Sequence, residues 1–319
     1  MTVEPDSSPT LSDANAALAR KIDNLGYFFA ASSAILFSSK GIIIKLAYGL
    51  DVGAETFLAL RMGLSMPFYL VIGILAVRDR KRRGAALPTR KQFLGALVIG
   101  LIGYWFASYT DFLGLEFISA QFERLILFTY PLFVVLLGAA FFNQPIAKRA
   151  MIAFAVSYAG LALVFSENVS ALGDHAVIGT GLVLAAAAAF ALYQLLARDM
   201  IGEMGPRLFT CIAMSGASLG AFTQFFLTHP PADLLVSAPL FGYAILIAIG
   251  ATVLPSFFLS AALHRISAQA NATIGIVSPI ATIVLAALIL HERMNLAGLL
   301  GSALVLAGIG WFTLSERKA

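Results

Sequence analysis

The sequence predicts an all-α multi-pass membrane protein with ten transmembrane helices. They form two inverted five-helix repeats, with both termini on the cytoplasmic side. Three observations lead there. The 319-residue chain is 60% hydrophobic and 12% charged, whereas a soluble domain carries roughly 25% charged residues. Its apolar residues gather into ten runs. The string Ile118-Ser119-Ala120-Gln121 returns as Ile266-Ser267-Ala268-Gln269.

In chain order, residues 1–24 are polar and of mixed charge and read as a disordered tail. Arg20 and Lys21 ahead of Leu25–Phe37 have the outline of a signal peptide, but the repeat needs this segment as a permanent helix. The ten runs are Leu25–Tyr48, Glu55–Val77, Gln92–Phe112, Ile118–Phe142, Ala150–Phe165, Val177–Ala197, Leu208–Leu227, Leu240–Leu263, Ala268–Leu290 and Leu296–Leu314. A spanning helix needs about 20 apolar residues, and lipid satisfies no open backbone group, so helices are expected. The fifth and seventh runs look short or glycine-interrupted, and short loops make neighbouring helices antiparallel.

Charge placement orients the spans. The side holding both termini carries sixteen Lys and Arg residues, clustered at Arg78–Arg83, Arg90 and Lys91; the opposite loops carry one, Arg293. The positive-inside rule then makes that side cytoplasmic and the protein an inner-membrane one. The same rule explains the net charge of +4 and the pI near 9.2 without nucleic acid. The single cysteine, Cys211, excludes an internal disulfide or a thiolate metal site, and no metal or cofactor is expected.

The repeat has an offset of 148. Pro131 matches Pro279, Ser108 matches Ser256, Leu115 matches Leu263, and Ala159-Gly160 matches Ala307-Gly308. Five spans per half turn the second half over, so the halves run 25–166 and 175–315 with a substrate site near the midplane between them. Pro131 and Pro279 each remove a backbone donor and are expected to kink the fourth and ninth helices. Small residues such as Gly216, Gly220, Gly301 and Gly308 provide close-packing surfaces.

Lys40, Lys45, Arg61, Asp111, Glu123 and Arg124 all fall within spans of the first half; Asn271 and Ala272 stand where Glu123 and Arg124 would repeat. A scaffold role would be needed by both halves alike, so charges in one half point to a solute or a coupling ion. Arg61 is expected to snorkel or to pair with Asp111 or Glu123, and Lys45 to snorkel. Lys40 is the deepest, about 12 Å from its helix exit at 1.5 Å per residue. Tyr104, Ser108 and Asp111 share a helical face, with Trp105 and Tyr109 beside them. With Lys40, Arg124, Tyr193, Gln269 and Asn271 they outline an aromatic cavity with positive and negative ends, suited to a zwitterion or an organic anion. Asp111, Glu123 and Arg61 are the candidates for charge pairing or proton coupling.

These features resemble the drug/metabolite transporter superfamily, EamA type. The resemblance rests on Lys45 and Arg61 around the first outer loop, Ser119-Ala120 opening the fourth span, Pro131, Ser278-Pro279 and Leu290-His291-Glu292-Arg293. The stretch Phe122–Pro131 looks like one bacterial branch, while Phe142-Asn143-Gln144-Pro145 departs by lacking the Glu-Arg pair. It implies a ten-helix inverted-repeat carrier with a central cavity, whose relatives export amino acids, other metabolites or toxic compounds and in some cases import them. The cavity chemistry above favours an amino acid or organic anion, exported by alternating access. A multidrug or toxic-compound efflux carrier of the same fold is the alternative, and a channel or membrane sensor stands behind both. No His-Glu-x-x-His, Gly-x-Ser-x-Gly or phosphate-loop motif supports an enzyme.

Overall fold

Every described residue that belongs to a regular element is helical. The computed structural model describes residues 11–142, 148–266, 274–275, 277–292 and 296–316. Among the described residues seven helical stretches are long and apolar enough to cross a membrane: Asn24–Tyr48, Ala54–Arg82, Arg90–Phe117, Ala120–Phe142, Asp174–Met204, Pro206–Thr228 and Ala238–Ala262. Three shorter apolar helices cover Met151–Ser166, Val277–Ile289 and Leu296–Trp311. Many large apolar side chains on these helices are exposed, among them Val71, Leu75, Leu219 and Leu288. That surface suits lipid rather than water.

Four of the seven long stretches are interrupted. The first divides at Ser39 into α1 (Leu11–Ser38) and α2 (Lys40–Tyr48). α3 (Ala54–Arg82) is continuous through Pro67. The third comprises α4 (Arg90–Gly100), a π turn at Leu101–Phe106 and α5 (Ala107–Phe117). The fourth divides into α6 (Ala120–Leu127) and α7 (Tyr130–Phe142). Then come α8 (Lys148–Leu172), α9 (Asp174–Met204) and α10 (Pro206–Thr228). α11 (Ala238–Ala248) joins α12 (Leu254–Leu263) through a second π turn at Ile249–Val253. α13 (Val277–Ile289) and α14 (Leu296–Glu316) end the described chain.

Two boundaries differ from expectation. α1 begins at Leu11, inside the stretch read as a disordered tail, because Leu11–Arg20 is rich in alanine and leucine. α8 does not stop near Phe165: nothing from Ser166 to Leu172 breaks a helix, and the stop comes at Gly173, with φ 58°. Local chemistry explains other ends. Thr89 and Gln92 form a capping box on α4, and Ser119 Oγ accepts from Phe122 N to start α6.

The 148-residue offset reappears in three dimensions. The two π turns begin at Leu101 and Ile249. Gly160 of α8 meets the Gly301 carbonyl on α14, and Gly308 meets the Ala153 carbonyl. Gly100 abuts the Ala213 backbone, and Ser65 Oγ donates to the Ala248 carbonyl at 3.3 Å. In both cases the second contact is the first with its partners exchanged across the offset, the reciprocity a two-fold relation imposes.

Candidate functional site

The break at Ser39 builds one wall of the site. It leaves carbonyls near the end of α1 open to side chains from elsewhere. Arg124 Nη2 donates to the Phe37 carbonyl at 2.9 Å, and Thr282 Oγ1 to the Ser38 carbonyl at 3.0 Å. Ser38 Oγ in turn donates to the Ser278 carbonyl at 3.0 Å. The break is thereby stitched to α6 and α13, and it puts Lys40 on the first residue of α2.

Lys40 Nζ lies 2.5 Å from Asp111 Oδ2 on α5. Arg124 Nε stands 3.8 Å from Glu123 Oε2. The Asp111 and Glu123 carboxyls are within hydrogen-bonding reach of each other. Yet Asp111 Oδ1 and both Glu123 oxygens have no donor among the described residues. Relative exposures are 0% for Glu123, 1% for Asp111, 6% for Arg124 and 9% for Lys40, so the cluster is removed from bulk solvent. Gly41 gives Glu123 its room: a Cβ there would lie 3.2 Å from Glu123 Oε2.

Arg61 behaves differently from expectation. It is 2% exposed, so it does not snorkel, and it has no salt bridge to Asp111 or Glu123. Its Nε donates to Thr252 Oγ1 at 2.8 Å, and its Cζ lies 5.4 Å from the Phe112 ring centroid. Thr252 belongs to the second π turn and donates to the Ile247 carbonyl five residues back. Ser65 and Tyr69, further along α3, continue the contact to Ala248 and Ser256.

These charges border a cavity of about 140 Å³. Lys40, Arg61, Asp111 and Arg124 form its charged end; Phe37, Tyr104, Phe128, Tyr130 and Phe190 supply aromatic walls; Ser33, Ser108, Gln194 and Ser278 add hydroxyls and an amide. Lining comes from both halves of the chain. Of the residues singled out from sequence, Lys40, Arg61, Tyr104, Ser108, Asp111 and Arg124 line it. Glu123, beside Arg124, is not part of the lining.

The remaining candidates fall elsewhere. Tyr193 supports the wall from outside: its ring meets Tyr104 edge-on at 4.9 Å, and its hydroxyl donates to Tyr104 at 3.4 Å. Trp105 turns to α10, where Nε1 donates to Gln224 Oε1 at 2.8 Å. Tyr109 turns to Glu55 Oε1 at 3.0 Å. Both are one residue off the Tyr104–Ser108–Asp111 face, about 100° around the helix, and so they address a different neighbour. Gln269 and Asn271 lie outside the described residues. At Pro131 the expected kink is instead a full break at Phe128–Thr129, where Thr129 N donates to Ile126 O at 2.9 Å. Pro131 sits in the first turn of α7, where a missing donor is harmless. Pro279 likewise sits in the first turn of α13.

Sequence reasoning passed over two features. Phe128, Tyr130 and Phe190 gave no signal, because an aromatic residue in an apolar helix looks like any lipid-facing one. Glu292 was noticed only as a motif, but it joins distant segments: its Oε1 and Oε2 accept from Ala120 N at 3.0 Å and Gln121 N at 3.2 Å. A carboxylate there complements the positive end of α6. His291, with φ 55°, turns the chain to deliver it. Among the described residues no group of three His, Cys, Asp or Glu is placed to hold a metal.

The profile of the EamA-like transporter family matches residues 24–166 and again residues 177–314. Two proteins of Bacillus subtilis (strain 168) are similar over nearly the whole length. The uncharacterized transporter YcbK is 27% identical, covering 92% of this chain and 95% of its own. The uncharacterized transporter YetK is 22% identical, covering 92% and 93%. A solved protein crystal structure superposes with a TM-score of 0.60 at 16% identity, over 92% of this chain and 98% of that one, a likeness of fold alone.

Proposed function

The chain belongs to the EamA-like transporter family, and from that premise we propose that it is a secondary carrier exporting a small polar or amphipathic metabolite by alternating access around the central cavity. An amino acid or an organic anion is the favoured solute. The observation that carries this is the cavity: it lies between the halves, and its buried charges come from one half only. A concave volume with convergent polar groups and apolar walls is what a solute site requires. A channel would need a continuous aqueous path instead.

The proposed topology is ten spans, made of the seven long stretches and the three shorter helices, with the second half inverted and both termini cytoplasmic in a bacterial inner membrane. The reciprocal contacts at the 148-residue offset support the repeat. The bias of basic residues toward one set of loops supports the orientation.

Coupling to protons is proposed at the Asp111–Glu123 pair. One proton between these carboxyls would give an oxygen of each the partner it lacks. If pH-gradient-dependent flux survives both Glu123→Gln and Asp111→Asn, this pair is not the proton site.

Counterflow in proteoliposomes tests the carrier. A pooled panel of amino acids, organic anions, purines and amphipathic cations is expected to reveal saturable exchange that Arg124→Ala loses. Arg124 holds the break in the first span as well as lining the cavity. Exchange unchanged by that substitution for every accepted solute would remove the site from this end of the cavity.

A further inference from the structure

Resting on the carrier reading above, we infer that the solute is a small monocarboxylate with a flat apolar body, anchored by the Arg61 guanidinium. Five ionisable side chains form the buried cluster, Lys40, Arg61 and Arg124 with Asp111 and Glu123, and in the state without the coupling proton the cations outnumber the carboxylates by one. Lys40 is neutralised by Asp111 and Arg124 is adjacent to Glu123. Arg61 is the cation left over, and it has no salt bridge among the described residues. An unpaired buried charge is strongly destabilising, like the charge left behind when one partner of a buried pair is removed. A single bound anion relieves that cost; a neutral or cationic ligand does not.

The donors point the same way. Only Nε of Arg61 is engaged, by Thr252; Nη1 is buried without a partner. The guanidinium is a fixed planar fork, and its natural complement is a carboxylate. With Nε tied to the second half and the ring of Phe112 beneath Cζ, the fork is already oriented. For an ammonium group the acceptor at hand is Asp111, whose Oδ2 is already taken by Lys40, and Glu123 does not line the cavity.

Size and wall chemistry narrow the body of the ligand. A water needs roughly 10–15 Å³ of such volume. The cavity of about 140 Å³ then corresponds to a ligand of on the order of ten non-hydrogen atoms. Tyr104, Tyr130, Phe190 and Phe37 line it. A flat ring suits walls of this kind.

The test is calorimetric binding to the full chain in lipid nanodiscs, with four probes of one shape: benzoate, benzamide, benzylamine and phenylalanine. Benzoate is expected to bind saturably and benzamide about tenfold more weakly, the loss of a charge-assisted pair. Benzylamine and phenylalanine are expected to bind no better than benzamide. Arg61→Gln should erase the preference for benzoate over benzamide, and Arg61→Lys should keep part of it. A merely structural role for Arg61 would lower stability but leave that ratio unchanged. The inference is overturned by absent benzoate binding, by equal affinity for benzoate and benzamide, by tighter binding of either amine, or by an unchanged ratio in Arg61→Gln. Should Arg61→Gln fail to fold, the four probes on the native chain still decide. Counterflow separates the two levels: exchange of amines without anions would keep the carrier and sink this inference, while benzoate binding without exchange of any solute would do the reverse.

Discussion

Lys40 and Asp111 are the sharpest case of what a residue reveals by itself and what it does not. Each was conspicuous in the sequence because a charge among apolar residues is rare and costly. Their pairing was not, since 71 positions separate them. The pair makes a direct prediction. Asp111→Asn leaves a buried ammonium facing an amide and should destabilise the protein by about 3–5 kcal/mol. The double change Lys40→Met with Asp111→Leu removes both charges and should recover most of that loss, while counterflow stays absent. Thermal unfolding of the purified variants measures the first effect and proteoliposome exchange the second. Recovery of exchange in the double variant would show that the pair serves only the scaffold. The same scale explains the misplaced aromatics. Trp105 and Tyr109 have the right chemistry and depth, but one step along a helix turns them to Gln224 and Glu55.

At the scale of elements, the apolar helices were legible and their interruptions were not. An apolar run announces a helix, whereas a π turn at Leu101–Phe106 or a break at Ser39 leaves the run unaltered. Proline marked a place but not its form: the fourth helix is interrupted at Phe128–Thr129, just upstream of Pro131, which sits in the first turn of α7. Close helix packing is the second element-scale feature, and it depends on glycine where backbones touch. Gly100 lies directly against the Ala213 backbone, so a Cβ there has no flexible neighbour to displace. Gly100→Val should force α4 from α10 and cost roughly 1–3 kcal/mol. Gly242→Val, at a position with nothing within 4 Å, is the control and should be nearly neutral. Equal melting temperatures for the two variants would contradict this account of the packing.

Over the whole molecule, the proposed topology can be checked with little engineering, because Cys211 is the only cysteine. In a Cys211→Ala background, Leu235→Cys should react with an impermeant maleimide added outside intact cells. Ala86→Cys should react only after permeabilisation. Labelling of both from the same side would refute the proposed orientation. The sequence by itself determined that the chain is helical, membrane-embedded and internally repeated, and that its buried charges are confined to one half. These follow from composition and order, since lipid tolerates little besides apolar helices and each exception stands out. Which charge meets which, where helices break, and which side chains face the cavity were decided only by the tertiary structure. The reason is physical: those outcomes depend on how a helix is rotated and what lies opposite it. Arg61 reaches Thr252 across 191 positions, a contact that no spacing along one helix contains.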